Sequence, residues 1–461
     1  MSILSRTARV SLVSLGLLSA IPAQAVINGS PETYGTAGVF RMGGGCSSVA
    51  LSKRWLLTAN HCVSAASVTN PGVVTVNLGS AGTATATRVV RHPEGTHVPG
   101  GRFDVALFRI DRDVPRSSFP AFSTRSVQGA LEQPVICMGY GVPGGGQLRS
   151  ATLTPTQVDA NPTRVRIFTN LLGQNTAPGD SGAPCFTDST YRTIGLLSSA
   201  YSGDPNNPSH TRHHVASTFA AWATKVVNWQ EMPGRAVEIA TSADGDVVIV
   251  GQSNASADGN KLYRWTGSTW AQLPFQGKKV AVEDTGRVWT ITTNGTIRRA
   301  LIQGYQTLPG KAAEIAIGGG QIYILGRSST GQGGRKLYRW TGSAWQQRNT
   351  PSGGAVALDV DDQGNPWVTT PDNRIQAGIP SGSGLNWVVT KGKAVDLDIA
   401  GKSWVLGQST LGDGGKGIFR WTAQATWERR KGLGAVKLAT GADGRAWVIG
   451  ADRRIYRFGA E

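Results

Sequence analysis

The sequence predicts an all-β protein of two unlike halves: a barrel or sandwich, then a six-unit β-propeller. Three observations carry this. The first half breaks into short apolar runs, at residues 73–78, 85–90, 105–110, 134–138 and 193–198, separated by Gly, Pro, Ser and Asn. The second half repeats itself about every 40 residues, as stacked supersecondary units do. A single segment, 216–227, carries a helical period, with Phe219 and Trp222 three apart.

At 461 residues the chain is long enough for two or three domains. Arg6 and Arg9, the apolar run 10–21 and Ala23-Gln24-Ala25 are the three parts of a secretory signal peptide, so residues 1–25 are expected to leave on export. That run is too short for a stable bilayer anchor, and no later run is longer. No cysteine near Ala25 offers a site for lipid attachment. The expected destination is therefore secreted, either periplasm or medium.

The formal charge is +17, or about +15 once Arg6 and Arg9 are removed. Residues 26–228 hold 16 Lys/Arg against 10 Asp/Glu, and 229–461 hold 28 against 19. With the excess spread over both halves and no dense basic run, a nucleic-acid partner is not expected. Adhesion to anionic surfaces and simple solubility both remain open.

Three segments of the first half carry chemistry. Ala177-Pro178-Gly179-Asp180-Ser181-Gly182-Ala183-Pro184 sets a serine between glycines that allow a tight turn. Alone, such a stretch reads as a surface turn. Upstream, Leu57-Thr58-Ala59-Asn60-His61-Cys62 offers a base, which a serine hydroxyl needs before it becomes a nucleophile. Between them, Phe103-Asp104-Val105-Ala106-Leu107-Phe108 offers a carboxylate to orient that base. A lone His61 would be an ordinary histidine and a lone Asp104 an N-cap or loop carboxylate. Together, in the order His, Asp, Ser, the segments resemble the chymotrypsin/trypsin-like serine proteases across residues 26–228, with Ala183 in place of the family's second glycine.

That resemblance implies a two-barrel protease domain acting on protein or peptide substrates with no cofactor and no metal. It implies His61 as general base, Asp104 as its orienter, Ser181 as nucleophile, and the N–H groups of Gly179 and Ser181 as the oxyanion hole. It further implies a P1 pocket with Asn175 at its floor, Thr176 beside it, and Ser198, Ser199 and Ala200 along one wall. Trypsin-type enzymes carry aspartate at the floor, so the uncharged Asn175 argues against a basic P1 residue. His213 and His214 either reach this pocket, where they would favour an acidic P1, or are surface residues, the second being the expectation. Asn60 sets a polar group beside the base where the family usually has alanine.

All four cysteines, Cys46, Cys62, Cys137 and Cys185, lie in this half. An even count in an exported protein favours two disulfides, with three pairings open. The resemblance implies Cys46 with Cys62, and Cys137 with Cys185, the latter two each displaced by two residues from the family's positions. A shift of two keeps a side chain on the same face of its strand. A zinc site is the rival reading, and there is no C-x-x-C pair to support it. Val26-Ile27-Asn28-Gly29, directly after Ala25, resembles the family's activated N-terminus, which implies an ammonium on Val26 paired with Asp180.

The second half has no cysteine. Trp229, Trp270, Tyr305, Trp345, Trp387 and Trp427 open six units at spacings of 41, 35, 40, 42 and 40 residues. Each unit continues with an apolar strand (237–240, 280–282, 314–317, 355–358, 395–399, 436–439), a Gly-containing turn and a second strand. Strand 456–458 leaves the sixth unit one strand short, and residues 229–232 are expected to fill the place. Trp229-x-x-x-Pro233-Gly234-x-Ala236 and Tyr305-x-x-x-Pro309-Gly310-x-Ala312 resemble tectonin repeats over residues 229–461. The resemblance implies a propeller that binds a glycan or lipopolysaccharide. The tryptophans themselves read first as propeller core. Candidate ligand contacts are assigned to the loops 252–260, 327–335 and 408–416. The expected whole is a secreted serine endopeptidase carried to a surface by its propeller. The alternative is a secreted lectin-like protein whose first half is inactive or an esterase.

Overall fold

The computed structural model describes residues 26–459, other than 97, 100, 142–146, 178, 188–191, 202–209, 253–255 and 400. The expected signal peptide lies outside the described residues, as do the side chain of Ala200 and part of the 252–260 loop. The chain divides into two units, one up to Phe219 and the other from Ala220 onward. Among the described residues no helix is long and apolar enough to cross a membrane.

The first unit holds two antiparallel sheets. One, of six strands, runs in the order Val39–Arg41, Ser47–Ala50, Trp55–Thr58, Ala106–Ile110, Thr83–Arg91 and Thr75–Asn77. Its inner residues, among them Phe40, Leu56, Val76, Val89 and Phe108, form one core. The other, of eight strands, places Val135–Gly139 beside Pro184–Thr187, followed by Arg192–Tyr201, His210–Val215 and Arg164–Phe168. Val135, Leu153, Ile167 and Ile194 pack with Cys137 and Cys185 into a second core. These are barrel-like sheets, as the strand spacing predicts. The run 73–78 contracts to Thr75–Asn77 because Pro71–Val73 coils into a 3-10 turn.

Both disulfides form in the pairing the resemblance implies. Cys137 and Cys185 are direct partners across the ladder, so the two-residue displacement leaves them facing each other. The segment expected to be one helix from 216 is two pieces. Ala216–Thr218 is a 3-10 turn, Phe219 breaks it at φ −126° and ψ −8°, and the helix is Ala220–Asn228. This helix falls in the second unit. Asn228 donates from its amide to the carbonyl of Lys431 at 3.2 Å. Gly432, at φ 97°, allows the approach, since a Cβ there would stand 2.7 Å from the Lys225 nitrogen.

The described strands of the second unit form six antiparallel groups of four. Long strands link the groups. In Tyr305–Gly318, Gln306 pairs back with Arg299 while Ile315 pairs forward with Ile324, and Gly310 at φ 84° stands between the two halves. The sequence suggests two strands there, and the structure has one with a switch of partner. The 355–358 strand is Ala357–Val360, because Ala355 bonds back to Arg335. Trp229–Thr241 pairs at its start with Arg454–Phe458, Trp229 opposite Phe458 and Met232 opposite Ile455.

The first strands of all six groups line one cavity of about 80 Å³. Its charged groups are interleaved. Lys279 Nζ lies 2.7 Å from both Glu238 and Glu314, and Lys437 Nζ lies 3.6 Å from Glu238 and Asp396. Burial works against the Lys437 ammonium, yet the carboxylates of Asp396, Glu238 and Glu314 hold its pKa well above the usual lysine value. Burial and the neighbouring Asp398 push Asp359 well up.

Candidate active site

His61 follows strand Trp55–Thr58 on the 3-10 turn Asn60–Cys62, and Asp104 precedes strand Ala106–Ile110. The two strands are ladder neighbours, with Thr58 opposite Ala106, so sheet register alone brings the base and the carboxylate together. His61 Nδ1 lies 2.7 Å from Asp104 Oδ2, and the His61 backbone N–H donates to Oδ1 at 2.8 Å. A ring held at Nδ1 by a carboxylate presents Nε2 as its free basic nitrogen. The Asp104 side chain is fully buried while that of His61 keeps 15% of its surface, so the imidazole faces solvent and the carboxylate does not.

Sequence reasoning missed the other groups that hold Asp104. Ser198 Oγ donates to Asp104 Oδ2 at 2.7 Å, so its hydroxyl turns to the carboxylate. The Asp104 N–H donates to His214 Nε2 at 3.0 Å. Arg164, itself 2.5 Å from Asp159, reaches the Gly101 carbonyl at 3.5 Å in the same loop. Phe103, next to Asp104, sits at φ 42°, a costly conformation for an aromatic residue and one that surrounding structure must impose. His213 and His214 are both buried, so the surface expectation for them is corrected. Burial pushes His213 down to about 3 and His214 down to about 4, which keeps both rings neutral.

The Ser181 turn is fastened to the histidine segment through main chain. Ser47 N–H donates to the Ser181 carbonyl at 2.8 Å, and Thr58 Oγ1 donates to the Ser47 carbonyl at 2.9 Å. Ser47 Oγ also accepts from the Tyr140 N–H at 3.0 Å, so one serine ties both sheets to the turn. Gly182, at φ 81°, must be glycine, because a Cβ would meet Ser47 O, Thr58 Oγ1 and Ala59 N. Cys62 Sγ lies 3.7 Å from the Ser181 carbonyl. Among the described residues the Ser181 hydroxyl has no hydrogen-bond partner, and none of those residues accepts from the N–H groups of Gly179 or Ser181. Asn60 turns away from His61, donating to Thr96 O at 3.0 Å and accepting from Arg91 at 2.5 Å.

Asp180 is fully buried. Its carboxylate accepts from the N–H of Gly141 at 2.7 Å, Ala177 at 2.9 Å and Val26 at 3.1 Å. Burial nevertheless pushes it up to about 6. Val26 is itself fully buried. Asn175 is also buried, with its amide oxygen accepting from Thr211 Oγ1 at 3.0 Å; Thr211 in turn lies 3.0 Å from His213 Nε2. The Thr176 and Ser199 hydroxyl oxygens are buried with no partner among the described residues. The sulfurs near His61 and His213 belong to disulfides, which removes them as thiolate metal ligands.

Residues 26–223 match the trypsin family. A serine protease of Anopheles gambiae is 26% identical over 196 residues, 38% of this chain and 70% of that protein. The first unit thus contains a trypsin-like serine protease domain.

Proposed function

We propose that the chain is a secreted serine endopeptidase whose second unit is a six-bladed propeller that carries it to a glycan or cell-envelope surface. The observation that supports the catalytic reading best is the His61–Asp104 contact at 2.7 Å beside a Ser181 turn anchored on Ser47, in the strand next to the one that leads to His61. In the reaction, Ser181 Oγ attacks the peptide carbonyl carbon while His61 Nε2 takes the hydroxyl proton. Asp104 holds the resulting imidazolium. The carbonyl oxygen gathers negative charge against the N–H groups of Gly179 and Ser181, each worth roughly 3 kcal/mol of transition-state stabilisation. The C–N bond then breaks and the His61 proton passes to the leaving amine. Water repeats the sequence on the acyl-enzyme and frees Ser181. The missing Ser181–His61 hydrogen bond fits a free enzyme, where such bonds are commonly long until substrate arrives.

Asn175 supplies no charge for a lysine or arginine side chain, and Thr176 and Ser199 bring hydroxyls, so P1 is a non-basic residue. Cleavage after Ala25 would free the Val26 ammonium to pair with Asp180, so that export and activation are one event. Convergence of six strand groups on one cavity and the Trp229–Phe458 pairing support the propeller reading.

Labelling with a fluorophosphonate tests the catalytic half. Native protein at neutral pH should take the label at Ser181, and Ser181→Ala or His61→Ala should not. A native protein that takes none is no serine hydrolase, while turnover of esters without cleavage of any protein would mark an esterase.

A further inference from the structure

Two clefts in the second unit share one construction. The first, about 400 Å³, lies beside Trp427 and is lined by Gly392, Lys393, Gly407, Phe419 and Arg429. The second, about 320 Å³, lies beside Trp345 and is lined by Gly310, Lys311, Arg327, Lys336 and Tyr338. In each, the indole N–H is tied to a neighbouring strand, Trp427 to the Lys391 carbonyl at 2.7 Å and Trp345 to the Pro309 carbonyl at 3.0 Å. That bond fixes the plane of the ring. A left-handed glycine stands against it, Gly392 at φ 91° or Gly310 at φ 84°, Trp421 or Trp340 packs on it at 4.8 or 4.9 Å, and the rest of the ring lines the cleft. A Cβ on Gly392 would stand 2.9 Å from Trp427. A second ring, Phe419 or Tyr338, lies against Gly407 or Gly326. The frame recurs at Trp270, which donates to the Pro233 carbonyl at 2.7 Å, with Gly234, Arg235, Tyr263 and Gly251 in the matching places.

The charge that lines these clefts is cationic. Neither lining contains an acidic residue. Among the described residues Lys311, Arg327, Lys336, Lys393 and Arg429 have no carboxylate partner, whereas Arg374, Arg445 and Arg454 pair with Asp372, Asp443 and Glu231. Lys311 and Arg327 do bond to Thr296 Oγ1 and the Asn294 carbonyl, but those acceptors are neutral and leave the charge in place. An aromatic ring lining a cleft together with unneutralised cations suits a ligand that is apolar on one side and anionic at its edge.

We propose that these clefts bind the acidic sugar units of an anionic polysaccharide. The C–H face of a uronate or sulfated sugar would lie on Trp345 or Trp427, and its carboxylate or sulfate would meet the lysines and arginines. This rests on reading the second unit as the surface-binding half. Repetition of the site lets one polymer engage several clefts, which multiplies avidity without new contacts.

The test uses the full-length Ser181→Ala protein in calorimetric titration at physiological salt against polygalacturonate, dextran sulfate and neutral dextran. At least one anionic polymer should bind and neutral dextran should not; polygalacturonate alone or dextran sulfate alone identifies the anion as carboxylate or sulfate. Lys311→Gln with Arg327→Gln and Lys336→Gln should weaken binding about tenfold. So should Lys393→Gln with Arg429→Gln. A control carrying Lys278→Gln, Arg287→Gln and Lys402→Gln, which loses exposed cations outside the clefts, should stay within about twofold. Near-ultraviolet dichroism of the tryptophans verifies that each variant is folded. Equal weakening in the control would reduce the effect to overall charge and overturn the proposal. Binding to neutral glycans alone would overturn it while leaving surface targeting intact, and binding to no glycan in a broad panel would overturn both.

Discussion

Keeping one extra residue ahead of Val26 should cost the protease domain both stability and turnover, and the size of the loss can be worked from Asp180. In an uncut chain the Val26 nitrogen is an uncharged amide 3.1 Å from Asp180 Oδ2. Burial then pushes Asp180 up to about 6 from its usual 3.8, against the pull of three N–H donors. An acid whose pKa is raised by folding favours the folded state at low pH, and that advantage is lost as pH rises from 3.8 through 6. Above pH 6 the deficit is about 3 kcal/mol. A Val26 ammonium places a positive charge against the carboxylate and removes most of it. Cutting the 25–26 bond also frees Val26 from φ 39°, a conformation a β-branched residue rarely adopts.

The assay compares protein beginning at Val26 with protein retaining a Met before it, both as Ser181→Ala for stability and both with Ser181 for kinetics. Between pH 4.5 and 7.5 the Met-retaining form should lose about 2 kcal/mol more unfolding free energy than the Val26 form, the rest of the deficit falling below pH 4.5. The buried histidines titrate alike in both and cancel in the difference. If the deficit falls on the oxyanion turn, kcat/KM should drop about a hundredfold. Identical pH dependence in the two forms, or equal kcat/KM, would refute the reasoning, and a mature terminus other than Val26 would make it irrelevant in the cell.

Ser198→Ala removes one of the hydrogen bonds to the buried Asp104 carboxylate, a loss of about 1.5–3 kcal/mol, and should lower kcat tenfold or more with KM little changed. Steady-state kinetics decides this, and a change confined to KM would count against it. His213 and His214, pushed down to about 3 and about 4, favour folding above pH 6.5; this stability is lost as pH falls below 6.5. By pH 4 each should have cost about 3 kcal/mol, visible as a falling melting temperature of the first unit in calorimetry. Replacing Cys137 and Cys185 with alanine opens a loop of 48 residues and should cost about 4 kcal/mol in the same instrument.

The trypsin-like segments were legible where they are written in consecutive residues. His61, Asp104 and Ser181 announce themselves by their flanks and order, and the repeats by their spacing. What escaped was supplied by residues distant in the chain. Ser198 looked like a pocket wall, yet strand pairing aims its hydroxyl at a carboxylate 94 positions away. Ser47 had no motif at all, and its role arises only where two sheets meet the Ser181 turn. His213 and His214 looked polar enough for the surface. Strand His210–Val215 lies between two neighbours in its sheet, and the rings are neutral and hydrogen-bonded, so both faces can be buried. The 216–227 period correctly signalled a helix but not the unit it packs with, since an apolar face does not say what will cover it.

The pairing of Trp229–Met232 with Arg454–Phe458 sets the order of events when the second unit folds. The ion pair between Glu231 and Arg454 spans 223 residues, so the unit's first strand must wait for one of its last to be synthesised. Until then, five groups can zip up from local hairpins while the sixth presents open edges, the state most exposed to pairing with another chain. Loop closure at that length adds little to the free-energy cost, because the penalty grows only with the logarithm of the span. The burden is kinetic. Translation errors or clipping within 454–458 would therefore leave the sixth group without its closing pair, and the cell should handle such chains as aggregation hazards rather than as slightly shortened proteins.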